Sequence, residues 1–222
     1  WVRVHPASPA ATSWPLDDGA RRLYIIAKSH IGVVCSNSRA TVNLANVRVY
    51  TSTAKLLHWL IVALLIAQFI FAWTMPHIGR NTPVTTLISL HFTFGIIVLG
   101  VAIARLAWRA THREPAPLDG VPPWQVLSAR VLHWSLYVLL FVVPILGWIN
   151  ASWRGMPIAM FGTELPQLVA TRAPGWRWTG DVHALLSNYL MLTLVGLHVL
   201  AALYHYFIRR DQVLQRMLPG RQ

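Results

Sequence analysis

The run from Asp181 to Phe207 is long and apolar enough to cross a bilayer, yet it carries His183, His198 and His205. An imidazole inside a membrane is costly unless the protein uses it, so these residues are functional candidates from the outset. At 100° and 1.5 Å per residue, His183 and His198 lie about 22 Å apart along a helix and about 60° apart around it. Both can therefore face one bundle interior at opposite membrane depths, and His205 follows His198 by about two turns on nearly the same face.

Three further apolar runs precede this one. Together they predict an all-α fold, a four-helix transmembrane bundle with spans over about 54–73, 85–109, 124–149 and 181–208. Thr51 or Ser52 can cap the first span, and Met75-Pro76-His77 ends it. Residues 109–123 combine prolines with basic side chains, which suit an extended loop in water. Pro144 sits inside the third span, where its missing N–H predicts a kink. Residues 150–180 form a long connection whose Trp153, Trp176 and Trp178 suit the headgroup zone. Residues 1–46 differ in composition and are expected to be a disordered leader. Because the sequence opens on Trp1 and its first methionine is Met75, they are also read as translated sequence upstream of a start near Val47 or Val49, with the membrane domain covering 47–222.

A mean hydropathy of +0.48 with only 12% charged residues fits a polytopic membrane protein in contact with lipid. The net charge of +12 does not point to nucleic acid, because the basic residues fall mostly outside the spans, where they orient the chain. With residues 1–46 left aside, one side holds Arg48, Lys55, Arg105, Arg109, Arg113, Arg130, Arg209, Arg210, Arg216 and Arg221. On the other lie Arg80, Arg154, Arg172 and Arg177. Ten against four predicts both termini in the cytoplasm. Cys35 is the one cysteine in the sequence, which leaves histidine as the ligand for any metal cofactor.

Antiparallel neighbours place His58 of span one and His91 of span two in opposite leaflets. His183 begins span four on the side of His91, and His198 reaches the depth of His58. Two pairs result, His91 with His183 and His58 with His198. Facing imidazoles across a bundle core are what axial ligation of haem iron needs. A single intramembrane histidine can equally be a polar residue bonded to a hydroxyl or backbone group, but four at matched depths each carry an insertion cost. Zinc is disfavoured, since it needs three or four ligands converging at one depth.

Several segments carry a family resemblance: Ala54-Lys-Leu-Leu-His-Trp59; His91-Phe-Thr-Phe-Gly95 followed by Arg105-Leu-Ala-Trp-Arg109; His133-Trp-Ser-Leu-Tyr137 with Pro144-Ile-Leu-Gly-Trp148; Gly155-Met-Pro157 with Phe161-Gly162; and His198 to His205 followed by Asp211 and Met217. From about Tyr50 to Pro219 the chain resembles the bacterial cytochrome b561 family, in particular its small four-helix members that include superoxide oxidases. The resemblance implies two b-type haems, carried here by His58, His91, His183 and His198. It also implies residence in the bacterial inner membrane. His183 and His198 are fifteen residues apart where the family pattern has fourteen, a difference that a one-residue helical bulge would absorb.

Arg105 shares a face with His91 near the cytoplasmic end. It is read as a partner for a propionate of the inner haem, against the alternative of a snorkelling, orienting arginine. His133 and His205, toward the cytoplasm, are candidates to bind a quinone or move its protons, against the alternative that each bonds a propionate or backbone group. The implied activity is oxidation of superoxide outside and reduction of ubiquinone in the membrane. A cytochrome b subunit that receives electrons from a partner dehydrogenase or hydrogenase is the second reading, and a non-redox helical membrane protein the third.

Overall fold

The computed structural model describes residues 49–79, 82–118, 120–160 and 162–220. The expectation about residues 1–46 lies outside them. Four helices are long and apolar enough to cross a membrane: α1 (Ser52–Thr74), α2 (Thr86–Thr111), α3 (Pro123–Arg154) and α4 (Trp178–Arg209).

Short polar signals start and stop these helices. The Thr51 hydroxyl accepts from Ala54 N at the head of α1, and the Thr85 hydroxyl accepts from Ile88 N at the head of α2. Met75, held extended by the following Pro76, ends α1. Pro123 opens α3, where its missing N–H costs no hydrogen bond. Helix α3 continues through Pro144 and stops only at Gly155, whose φ of 71° suits a residue without a Cβ. At about 48 Å it is longer than the hydrocarbon layer, and so its last turns stand outside, beyond the expected end near residue 149.

Helix α4 is not uniform. Trp178–Leu185 is α-helical, Leu186–Met191 is π-helical, Leu192–Tyr204 returns to α, and His205–Arg209 is again π-helical. The first π segment lies between His183 and His198 and takes up one residue, as the fifteen-residue spacing requires.

Helix α1 packs on α2, α2 on α3, and α3 on α4. Ile61, Leu64, Val98, Ala102 and Leu140 join the first three helices, while Leu139, Val143 and Met191 join α3 to α4. Outward-facing Ile66, Val138 and Leu200 are more than half exposed, apolar surface suited to lipid rather than water. Within the connection from α3 to α4, a minimal antiparallel pair, β1 (Ala159–Met160) and β2 (Thr163–Glu164), covers a third cluster of Ala151, Met156 and Ile158. This hairpin was not expected from sequence; its turn includes Gly162 at a φ of 82°.

The basic tail is folded back, not loose. Trp59 Nε1 donates to Met217 O at 2.9 Å, Arg216 Nη1 to Ala116 O at 2.8 Å, and Arg209 Nη2 to Gly120 O at 3.3 Å.

Candidate functional site

Toward the end of the bundle that carries the α3–α4 connection, His91 of α2 and His183 of α4 face each other, with ring centres 6.1 Å apart and planes at 86°. Toward the other end, His58 of α1 and His198 of α4 repeat the arrangement at 6.1 Å and 76°. A metal–imidazole bond of about 2 Å on each side, added to the radius of each ring, sets ring centres about 6 Å apart. Both pairs therefore have the spacing of two imidazoles sharing one iron.

The His91–His183 pair borders an open-sided cavity of about 520 Å³ lined by residues of all four helices, within the size range of cofactor sites. Two features tailor its walls. His183 Nδ1 lies 2.9 Å from Val143 O; because a carbonyl only accepts, the ring must donate from Nδ1, which leaves the Nε2 lone pair available to a metal. One turn beyond Val143, Gly147 has no side chain, and a Cβ there would stand 3.0 Å from His183 Cε1. The Pro144-to-Trp148 segment and the residue before it thus supply both the acceptor and the space for this imidazole.

On the facing wall, Gln68 Nε2 donates to His91 O at 3.0 Å and lies 3.4 Å from His91 Nε2. His91 Nδ1 and Gln68 Oε1 are buried with no hydrogen-bond partner among the described residues. Native proteins seldom leave such atoms unmatched, and here they border a cavity that a polar cofactor can enter. The donor set, ring spacing and glycine-made space fit a haem. Neither Gln68 nor Gly147 was given a role from sequence. A glutamine in the middle of a span was the signal for the first, and the second stood within the Pro144-to-Trp148 segment that carries the family resemblance.

At the other pair, His133 of α3 joins the cluster with its ring centre 5.3 Å from that of His198. Arg105 Nε donates to Tyr137 Oη at 3.0 Å, and its Nη1 donates to Ala54 O at 3.0 Å, one turn before His58. That places the guanidinium between α1, α2 and α3 beside the His58 pair. His205 turns elsewhere: its Nδ1 meets Asp211 Oδ2 at 2.5 Å. The structure thus sets His133 against His198 and His205 against the tail.

A family model described as prokaryotic cytochrome b561 matches residues 49–220. The chain belongs to the prokaryotic cytochrome b561 family. It is 34% identical over 131 residues to cytochrome b561 homolog 2 of Escherichia coli strain K12, covering 59% of this chain and 69% of that protein. To the probable superoxide oxidase CybB of Yersinia pestis it is 28% identical over 169 residues, 75% of this chain and 93% of the relative. To cytochrome b561 homolog 1 of Escherichia coli strain K12 it is 26% identical over 176 residues, 78% and 98% of the two chains. Membership of the b561 family and four membrane-length helices make this a multi-pass bacterial membrane cytochrome that carries b-type haem and transfers electrons.

Proposed function

We propose that this b561-family chain is a di-haem superoxide:ubiquinone oxidoreductase of the bacterial inner membrane, with both termini in the cytoplasm. The observation that carries the proposal is the pair of imidazole couples, each with ring centres 6.1 Å apart, near opposite ends of one bundle. His91 and His183 hold the outer haem, and His58 and His198 hold the inner one. Haem b, when bound, supplies one-electron reduction and reoxidation at each depth. The name of the Yersinia pestis relative supports superoxide as donor, and the ten-to-four distribution of basic residues supports the orientation.

The chain's own residues have separate tasks. Val143 O fixes the tautomer of His183 and Gly147 makes space for its ring, so the outer ligand is oriented in advance. Ile61, Leu64, Val98 and Leu140 fill the bundle interior and exclude water. Arg105, held by Tyr137 and Ala54, places a fixed positive charge at the inner end, where it pairs with a haem propionate. Ubiquinone docks on the cytoplasmic side, where His133 and His205 donate hydrogen bonds to its carbonyl oxygens and deliver the protons that reduction requires.

Stopped-flow mixing of superoxide with the oxidised, purified protein tests the donor: fast appearance of reduced b-type bands, followed by reoxidation on adding a soluble ubiquinone, is expected. Bands that stay oxidised in superoxide but reduce with a partner dehydrogenase would reject the oxidase reading and retain the electron-transfer one.

A further inference from the structure

We infer that Asp211 is the positioning residue for His205, holding its imidazole by Nδ1 so that Nε2–H is presented to the quinone; this rests on the quinone reading above. Six residues apart on a regular helix, the two side chains would lie about 120° apart around the axis and would not meet. They meet here because the chain departs from regular geometry twice. Helix α4 widens into a π turn over His205–Arg209, and Arg210 then adopts the left-handed conformation at a φ of 52°. Glycine takes that conformation at little cost, whereas arginine does not, so the turn depends on the bonds that Asp211 and the tail make.

Those bonds centre on Asp211. Its backbone N–H donates to His205 O at 3.1 Å, its Oδ1 accepts from Val213 N at 3.0 Å, and its Oδ2 meets His205 Nδ1. Arg209 Nε stands 3.8 Å from the same Oδ2, and the tail beyond is tied down by Trp59 and Ala116. The carboxylate cannot reorient without breaking the turn. The charged and titratable groups set against His205 are Asp211, Arg209 through Asp211, and the Tyr204 ring at 5.8 Å.

Asp211 Oδ1 accepts from Val213 N and Oδ2 faces Arg209 Nε, so Asp211 acts as the acceptor for His205 Nδ1–H, which leaves Nε2 as the atom that exchanges a proton. Reduction of one ubiquinone to ubiquinol consumes two electrons, released as two superoxide ions become two molecules of oxygen, and two protons drawn from the cytoplasm. Protonated His205 gives one of them from Nε2 to a quinone oxygen and is refilled from cytoplasmic water. Asp211 keeps its hold on Nδ1 while Nε2 gives up its proton and is refilled.

The test compares Asp211→Asn, Asp211→Glu and His205→Ala in the full-length holoprotein. Haems are reduced with superoxide and reoxidised with a short-chain ubiquinone across a range of pH. Asp211→Asn should keep both haems and fast reduction but slow reoxidation about tenfold, the scale for loss of a group that orients a functional histidine. The pH profile of reoxidation should also differ from wild type, because an amide can turn either its oxygen or its NH2 group toward Nδ1 and no longer fixes which ring nitrogen carries the proton. Asp211→Glu should recover most of the rate and the original profile. Wild-type rate and profile in Asp211→Asn, with His205→Ala slow, would overturn this inference and leave the quinone reading standing; wild-type behaviour in both would end both. Should Asp211→Asn lose haem, Asp211→Glu decides: a Glu variant with both haems that reoxidises as slowly as His205→Ala overturns the assignment.

Discussion

His183 of α4 donates through Nδ1 to the carbonyl oxygen of Val143 on α3, a 2.9 Å bond between two different membrane helices. It ties the ring's tautomer to the spacing of α3 and α4, so under the proposed ligand assignment anything that pushes these helices apart at this level should act on the outer haem and spare the inner one.

Gly147 gives the most direct test, since a Cβ at this position would stand 3.0 Å from His183 Cε1. Gly147→Ala is expected to shift the spectrum of the outer haem while retaining it, and Gly147→Leu to lower the haem-to-protein ratio from two to about one. A pyridine haemochrome assay on the purified variants reads the ratio. An unchanged ratio and unchanged spectra in Gly147→Leu would remove His183 from the ligand set.

On the proposed assignment the two pairs hold separate haems. His58→Ala or His198→Ala should therefore abolish one haem and leave the other with its normal potential. Two haems per chain in either purified variant would refute the pairing of these two residues.

Arg105 should act on the inner haem through its charge. A nearby cation favours the reduced state, which carries one more negative charge, so Arg105→Leu should lower the inner potential by about 40 mV, equivalent to about 1 kcal/mol. Both haems should remain, and Tyr137→Phe, which removes one acceptor from the guanidinium, should have a smaller effect in the same direction. A redox titration that superimposes on wild type would mean that Arg105 only anchors its helix.

His133 touches the ring of His198. If its task is proton delivery, His133→Ala should leave superoxide-driven haem reduction fast and slow reoxidation by quinone about 10²-fold, the scale for loss of an acid–base group. Loss of the inner haem from this variant would instead show that His133 supports the ligand His198.

The π segment Leu186–Met191 makes a prediction about length. Deleting the lipid-facing Leu190 should let the segment relax to α-helix and keep both haems, because the removed residue is the one the wide turn absorbs. Deleting Gly196, in the regular α part, should turn His183 by about 100° relative to His198 and lose the outer haem. Equal haem content in the two deletions would argue that the π turn has no role in register.

Much of this was legible in the sequence because the bilayer leaves the chain few choices. Four long apolar runs can only be spanning helices, and intramembrane histidines at matched depths can only face the bundle interior, so the fold and the pairs His91–His183 and His58–His198 come from length and helical period alone. The extra residue between His183 and His198 also signalled a bulge, although not where it would lie. Tertiary structure decided the rest, since period and hydropathy are properties of one helix while a site is made between helices. The Val143 acceptor is a backbone atom common to every residue, Gly147 matters only for what stands opposite it, and His133 meets His198 only once α3 is docked on α4. Asp211 reaches His205 only because Arg210 reverses the chain through a left-handed turn, a conformation that no helical repeat announces.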